Sequence, residues 1–317
     1  MRLLFNQLAD EISRRESFLF VCHRNPDPDT IGSALALGGY IESLGKKADY
    51  FCIDKIPYNF SFLKIGYFSK DPTLFLKNYD AVIFIDCAES GRSGIKDVLQ
   101  YKKQIWISVD HHLLRDQFAD LEIRNPEASA TAEIIYKFFT HIGAGINMDS
   151  ATALLAGILI DTDFLSNAAA TDESIKMAGE LTSLGADYRS VVRAFHMNKN
   201  AKLLRLWGIA FSRLKYNKEK GIASTAIFKE DMEECPELDD ALSGLSGFLN
   251  AILKTDIIMV FDNRSDLVKG SLRTARENIN VAKIAEEYGG GGHAKAAGFM
   301  CPGKLVEREN EWAIEKI

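Results

Sequence analysis

The sequence predicts an α/β protein: an N-terminal domain built on a parallel sheet with helices on both faces, and a smaller C-terminal α/β domain joined to it by a linker. Apolar runs of strand length alternate with helical patterns through the first half, the rhythm of βαβ units. The chain has 317 residues, beyond the size at which a single core usually keeps growing. A polar stretch, YNKEKG at 216–221, separates that alternation from a fresh strand pattern. The expected division is 1–206, a linker at 207–220, and 221–317.

The opening MRLLFNQLADEISRRESF mixes acids and bases at helical spacing and lacks the apolar core and cleavage site of a signal peptide, so it reads as an amphipathic first helix. FLFVC (18–22), ADYFCI (48–53), DAVIFID (80–86) and IWISVD (105–110) read as buried strands. After the first comes IGSALALGGYIESLG, whose Ile31, Leu35 and Leu44 fall near one helix face. From about 128 to 206 the pattern turns mostly helical, in SATAEIIYKFFTHIG, ATALLAGILIDTD and ESIKMAGELTSLG. IASTAIF, at 222–228, then opens the second domain as a strand.

Composition narrows the function classes. Lys plus Arg number 38 and Asp plus Glu 44, a net charge of -6 that opposes tight binding of long duplex nucleic acid but tolerates a small phosphorylated substrate. The five cysteines, Cys22, Cys52, Cys87, Cys235 and Cys301, form no CxxC pair, which argues against a disulfide framework or thiolate zinc site and suits a reducing cytoplasm. The longest apolar stretch, ALLAGILI, falls well short of the roughly 18 residues of a membrane span, so no membrane partner is expected.

The chemistry gathers where strands end. HRNPDPD follows FLFVC and supplies His23, Asp27 and Asp29; VIFID ends at Asp86; IWISVD ends at Asp110, followed by His111 and His112; LLAGILID delivers Asp161. Asn, Pro and Asp are ordinary turn and cap formers, so each alone has a structural explanation. Together, at the carboxyl edge of a parallel sheet, they make a mixed oxygen and nitrogen set suited to divalent cations, manganese first and magnesium, cobalt or iron after it. Six or more such ligands exceed the need of one catalytic ion, which points to a two-metal site and phosphoester hydrolysis. In the second half, basic residues gather in KGSLRTAR (269–276), and GGGGH (289–293) reads either as a flexible turn or as a nest of backbone N–H groups for an anion.

HRNPDPD, VIFIDCAESGR, VDHH and GILIDTD, in that order, resemble the four motifs of the DHH phosphoesterase family, and GGGGHAKAAGF resembles the signature of that family's associated C-terminal domain. The resemblance runs from residue 23 to 299. It implies one metal held by His23, Asp27 and Asp86, and a second by Asp29, Asp86, His111 and Asp161, with Asp86 bridging. It also implies that Asp110 orients a neighbouring histidine, and that His112 contacts the scissile phosphate or protonates the leaving oxygen. Arg92 aligns with an arginine common in the second motif but reads equally as a surface contact, and is left outside the catalytic set. Arg273, Gly289, Gly290, Gly291, Gly292 and His293 are expected to grip a substrate phosphate. One departure stands out: Asp163 occupies the place of a glycine usual in the fourth motif.

Size and domain content leave no room for the extra nucleic-acid-binding domain of RecJ-type exonucleases. The compact form that remains resembles the oligoribonucleases called nanoRNases. The expected function is a cytoplasmic, manganese-dependent hydrolase that trims dinucleotides and similar short RNA to mononucleotides and also dephosphorylates adenosine 3',5'-bisphosphate, with a homodimer as its assembly. The alternatives are a soluble cyclic- or linear-dinucleotide phosphodiesterase and a catalytically silent nucleotide-binding protein.

Overall fold

The computed structural model describes residues 1–95, 104–113, 116–197, 201–232, 242, 244–264 and 267–315. Cys235 lies outside them. The chain divides into two compact units, Met1–Leu165 with Ala169–Asn198, and Lys199–Ile317 with Ser166–Ala168.

The first unit is built on a six-stranded sheet, parallel throughout: β1 (Ser17–Cys22), β2 (Lys47–Phe51), β3 (Phe68–Ser69), β4 (Ala81–Ile85), β5 (Ile105–Asp110) and β6 (Leu121–Arg124). Its helices are α1 (Arg2–Arg14), α2 (Pro28–Ser43), α3 (Thr131–Ile142), α4 (Met148–Asp161), α5 (Asp172–Ser183) and α6 (Tyr188–Val192). The apolar runs form strands because both of their faces are covered. Phe18, Phe20, Ile83, Ile85 and Ile107 pack beneath the helices, while the alternate residues Leu19, Val21, Val82 and Phe84 pack on the other side against Leu74, Tyr79 and Ile95. α2 and α4 meet closely because Gly32 has no side chain; a Cβ there would lie 2.3 Å from the Ala153 carbonyl oxygen.

The strand order is β3-β2-β1-β4-β5-β6, which reverses direction between β1 and β4. In doubly wound sheets that reversal opens a crevice beyond the carboxyl ends of the two strands, where ligands bind. Register puts Cys22 opposite Ile85 and Ile85 opposite Val109. The next residues along, His23, Asp86 and Asp110, therefore stand side by side at the rim of that crevice.

The second unit holds β7 (Lys215–Asn217), β8 (Ile222–Phe228), β9 (Ile257–Asn263), β10 (Leu267–Arg273), β11 (Gly291–His293) and β12 (Ala296–Pro302) in one mixed sheet of order β11-β12-β10-β9-β8-β7. A hairpin of β13 (Lys304–Glu307) and β14 (Trp312–Glu315) is attached, with helices α7 (Ala201–Ser212), α8 (Leu245–Ile252) and α9 (Val281–Glu286). Residues 207–212, expected to open a linker, are instead the second half of α7. Leu206, Trp207 and Ala210 bury one face of that helix against Ala223 and Ile227 of β8, so it belongs to the second unit's core. Among the described residues no helix is long and apolar enough to cross a membrane. Cys22, Cys52 and Cys87 are buried free thiols.

Candidate metal centre

His23, Asp27 and Asp29 arrive together because β1 runs into α2 through a short turn. Asp27 is the N-cap of α2: its Oδ1 accepts the Asp29 and Thr30 amides at 3.0 Å each. Its other oxygen faces His23 Nε2 at 3.5 Å. One carboxylate thus starts a helix and contributes to the site.

Asp29 sits in the first turn of α2 and is fully buried. Its Oδ2 accepts the Thr131 amide at 2.7 Å and its Oδ1 the Ala132 amide at 2.8 Å. These are the opening amides of α3, whose own N-cap, Ala130, makes no side-chain hydrogen bond. Asp29 caps a helix other than its own. Gly157 of α4 makes room for it, since a Cβ at that position would lie 2.5 Å from Asp29 Oδ1.

Asp86 lies centrally. Its backbone is left-handed, with φ 58°, a conformation that non-glycine residues adopt at a cost and that gathers at functional sites. Its Oδ2 is 3.3 Å from His23 Nε2, while its Oδ1 is 3.7 Å from His111 Nε2 and 3.1 Å from His112 Nδ1. The Thr131 hydroxyl donates to the same Oδ1 at 3.0 Å. Asp161, the last residue of α4, brings Oδ2 to 3.2 Å from His111 Nε2.

Several groups of donor atoms lie within 4.8 Å of one another, and two of them match the expected ligand sets: His23, Asp27 and Asp86; and Asp29, His111 and Asp161; another joins Asp86 to Asp110 and His112. The imidazoles are set for coordination. His23 Nδ1 donates to the Arg24 carbonyl at 2.6 Å and His111 Nδ1 to the Ala128 carbonyl at 3.2 Å, which turns each Nε2 inward as the lone-pair atom. His23 Nε2 is buried without a hydrogen bond, flanked by two carboxylates.

The electrostatics report a shortage of positive charge. Burial, followed by the neighbouring Asp161 and Asp86, pushes the Asp29 carboxyl well above the usual range. Burial pushes Asp161 up to about 6 despite the opposing pull of His111. Burial alone would lower His23, yet Asp27 and Asp86 raise it well above an ordinary imidazole. Protons collect where carboxylates crowd in low dielectric, and divalent cations answer the same need. The residues fit metal ions.

Residues 17–158 match the family described as "DHH family, N-terminal domain", and residues 238–317 match "DHHA1 domain". The chain belongs to the DHH/DHHA1 family. Over 311 residues it is 28% identical to the bifunctional oligoribonuclease and PAP phosphatase NrnA of Thermus thermophilus, covering 98% of this chain and 92% of the relative. It is 26% identical to the protein of the same name in Bacillus subtilis over 295 residues, covering 92% of this chain and 91% of that one. An exopolyphosphatase-related protein from Bacteroides fragilis shares the fold with a TM-score of 0.87 at 22% identity, covering 94% of this chain and 91% of that one.

Within the DHH unit, Asp110 and His112 stand beside the ligand groups. His112 Nδ1 lies 2.8 Å from Asp110 Oδ1, and the His112 amide donates to that oxygen at 2.8 Å. Arg92, left outside the expected catalytic set, brings Nη1 to 3.2 Å from His112 Nε2. Sequence reasoning missed Thr131 and Arg124 altogether. The helix start at 131 offered one clue, a first turn with no Ser, Thr, Asp or Asn at its N-cap.

In the DHHA1 unit the expected anion-binding residues sort differently. Arg273 and His293 both pair with Ala296, from β10 and β11 on either side of β12. Cross-strand partners share a face, so the two side chains stand on one side of the sheet about two strand spacings, roughly 10 Å, apart. The glycine run is not a four-amide nest. The Gly289 and Gly290 amides donate to Glu286 and Ala285 carbonyls at 3.0 and 2.9 Å and close the end of α9, while Gly291 and Gly292 enter β11. Close packing explains the composition: a Cβ on Gly290 would lie 2.2 Å from the Gly298 carbonyl oxygen, and Gly292 has φ 142°.

Proposed function

We propose that this chain is a manganese-dependent phosphodiesterase that hydrolyses dinucleotides and other very short oligoribonucleotides to mononucleotides, and that it also dephosphorylates adenosine 3',5'-bisphosphate. The observation that carries the reaction class is the position of Asp86, whose two oxygens face the two ligand groups. His23, Asp27 and Asp86 would hold one ion, and Asp29, Asp86, His111 and Asp161 the other. A divalent pair held this way would supply an activated water and neutralise charge developing on a phosphoryl group.

The chain's own residues supply the rest. The His112 ring is held by Asp110 at one nitrogen and reaches Arg92 with the other, so the pair presents a protonatable group and a forked cation beside Asp86. In this reading Arg92 turns from His112 Nε2 to bind phosphate oxygens, and the freed Nε2 takes up a proton and gives it to the leaving oxygen. Burial works against a charged His112, but Asp110 and Asp86 outweigh it and raise its affinity for a proton, as an acid at neutral pH requires. Arg273 and His293 would bind a second substrate phosphate. Similarity along nearly the whole chain to proteins named oligoribonuclease and PAP phosphatase supports this choice of substrates.

The test is turnover, with manganese, of a linear ribodinucleotide, a cyclic dinucleotide and adenosine 3',5'-bisphosphate in separate reactions. The reading expects the linear dinucleotide and the bisphosphate to react. Turnover of the cyclic substrate alone would replace it with the cyclic-dinucleotide alternative.

A further inference from the structure

Arg124 closes β6 directly beside Asp110, its register partner at the end of β5. Its side chain is 9% exposed. Nη1 donates to Asp110 Oδ2 at 2.9 Å and to the His112 carbonyl at 3.1 Å, and Nη2 donates to Glu122 Oε2 at 3.2 Å. One guanidinium nitrogen therefore holds both the carboxylate that orients the His112 ring and the backbone that carries it.

Asp110 itself is fully buried and accepts four hydrogen bonds, two at each oxygen. Oδ2 takes Arg124 and the Ala88 amide, the latter at 2.6 Å; Oδ1 takes the His112 amide and ring. Rotation of this carboxylate would break the contact to His112 Nδ1, and the two donors on Oδ2 oppose that rotation. With Asp110 accepting from Nδ1 and Arg92 donating to Nε2, the ring is fixed as the Nδ1–H tautomer. We propose that Arg124 is a positioning residue for His112, acting through the Asp110 carboxylate and the His112 carbonyl. A lysine cannot do this fully, because its ammonium is a point charge on a flexible stem, whereas the guanidinium plane fixes the directions of its donors.

The kinetic part of this inference rests on the phosphodiesterase reading above; the structural part does not. The test uses Arg124→Met and Arg124→Lys in the full chain, with kcat and KM for a linear ribodinucleotide measured separately in manganese. The His112 ring nitrogens are followed by 15N NMR in the metal-free proteins. The expected result is a kcat about 10- to 100-fold lower in Arg124→Met, the range for removing a partner that orients an active-site ligand, with KM little changed. Arg124→Lys keeps the buried positive charge and recovers part of kcat. The ring signals change from one tautomer to a mixture in Arg124→Met and shift partway in Arg124→Lys. Unchanged kcat and unchanged ring signals in the folded variants would overturn the assignment. If Arg124→Met does not fold, Arg124→Lys decides by the same two readings. Should the unaltered protein hydrolyse no phosphoester, the proposed function fails, and the ring signals alone still decide the role of Arg124.

Discussion

Asp29 and Thr131 stand 102 positions apart in sequence and 2.7 Å apart in the fold, carboxylate oxygen to backbone amide. The same threonine donates its hydroxyl to Asp86 Oδ1 at 3.0 Å, so one residue aims two of the predicted metal ligands. Thr131→Val keeps the shape and the amide and removes only the hydroxyl. The expected outcome is a 10- to 100-fold loss of manganese affinity, read by isothermal titration calorimetry, with the circular dichroism spectrum unchanged. Equal affinity in the two proteins would show that the hydroxyl plays no part in aiming Asp86.

Asp86 itself is best tested by Asp86→Asn. Its backbone is left-handed, which asparagine tolerates better than alanine, so the substitution removes charge with little added strain. Hydrolysis of the dinucleotide should be abolished. Manganese at about 100 times its Kd should stabilise the unaltered protein by about 2.7 kcal/mol, and most of that gain should vanish in the variant. Thermal unfolding with and without manganese measures it, and a full manganese-induced rise in Tm for Asp86→Asn would refute the shared-ligand assignment.

Much of this site was legible in the sequence because parallel strands announce themselves. The central strands are nearly continuous apolar runs, and the charged or imidazole residue at or just past the strand end emerges at the carboxyl edge, as His23, Asp86 and Asp110 do. What orients those ligands was not legible. The Thr131 and Ala132 amides carry no residue-type signature, and Arg124 reads in LEIR as an ordinary strand residue until register sets it beside Asp110. The glycine run allowed two readings, a turn or a nest for an anion, and only the structure shows that the end of α9 uses the Gly289 and Gly290 amides.

Asp163, which stands where the fourth motif usually has a glycine, has a left-handed backbone. Asp163, Phe164 and Leu165 have φ of 49°, 58° and 63°, a left-handed turn directly after the α4 terminus that carries Asp161. A glycine at the first of these positions relieves the clash between Cβ and the following carbonyl. Asp163→Gly is expected to stabilise the protein by about 1 kcal/mol, seen as a higher urea midpoint at unchanged slope. Asp163→Ala should move the midpoint the other way, because aspartate tolerates this conformation better than alanine. A lower midpoint for the glycine variant would show that the Asp163 side chain contributes more than its backbone costs.

The second unit offers a pH-dependent contact away from any metal ligand. Arg213 Nη2 donates to Asp231 Oδ1 at 2.8 Å, with Nη1 on the other oxygen, and its guanidinium stacks over the Phe228 ring at 5.2 Å. Partial burial would raise the Asp231 carboxyl, but the bonds from Arg213 and the Phe228 amide outweigh it and hold it below the usual range. A carboxyl with a depressed folded-state pKa binds fewer protons folded than unfolded. Its stabilising contribution is therefore complete above the ordinary carboxyl pKa, near 3.8, and is lost as pH falls from there through the lower folded value. Asp231→Asn cannot titrate, so its stability should fall less steeply with acidification below about pH 4 than that of the unaltered protein. Urea unfolding at pH 3 and pH 5, followed through the fluorescence of Trp312, whose Nε1 donates to the Arg213 carbonyl at 2.9 Å, compares the two directly. Identical pH slopes in both proteins would show that this ion pair adds nothing to folding.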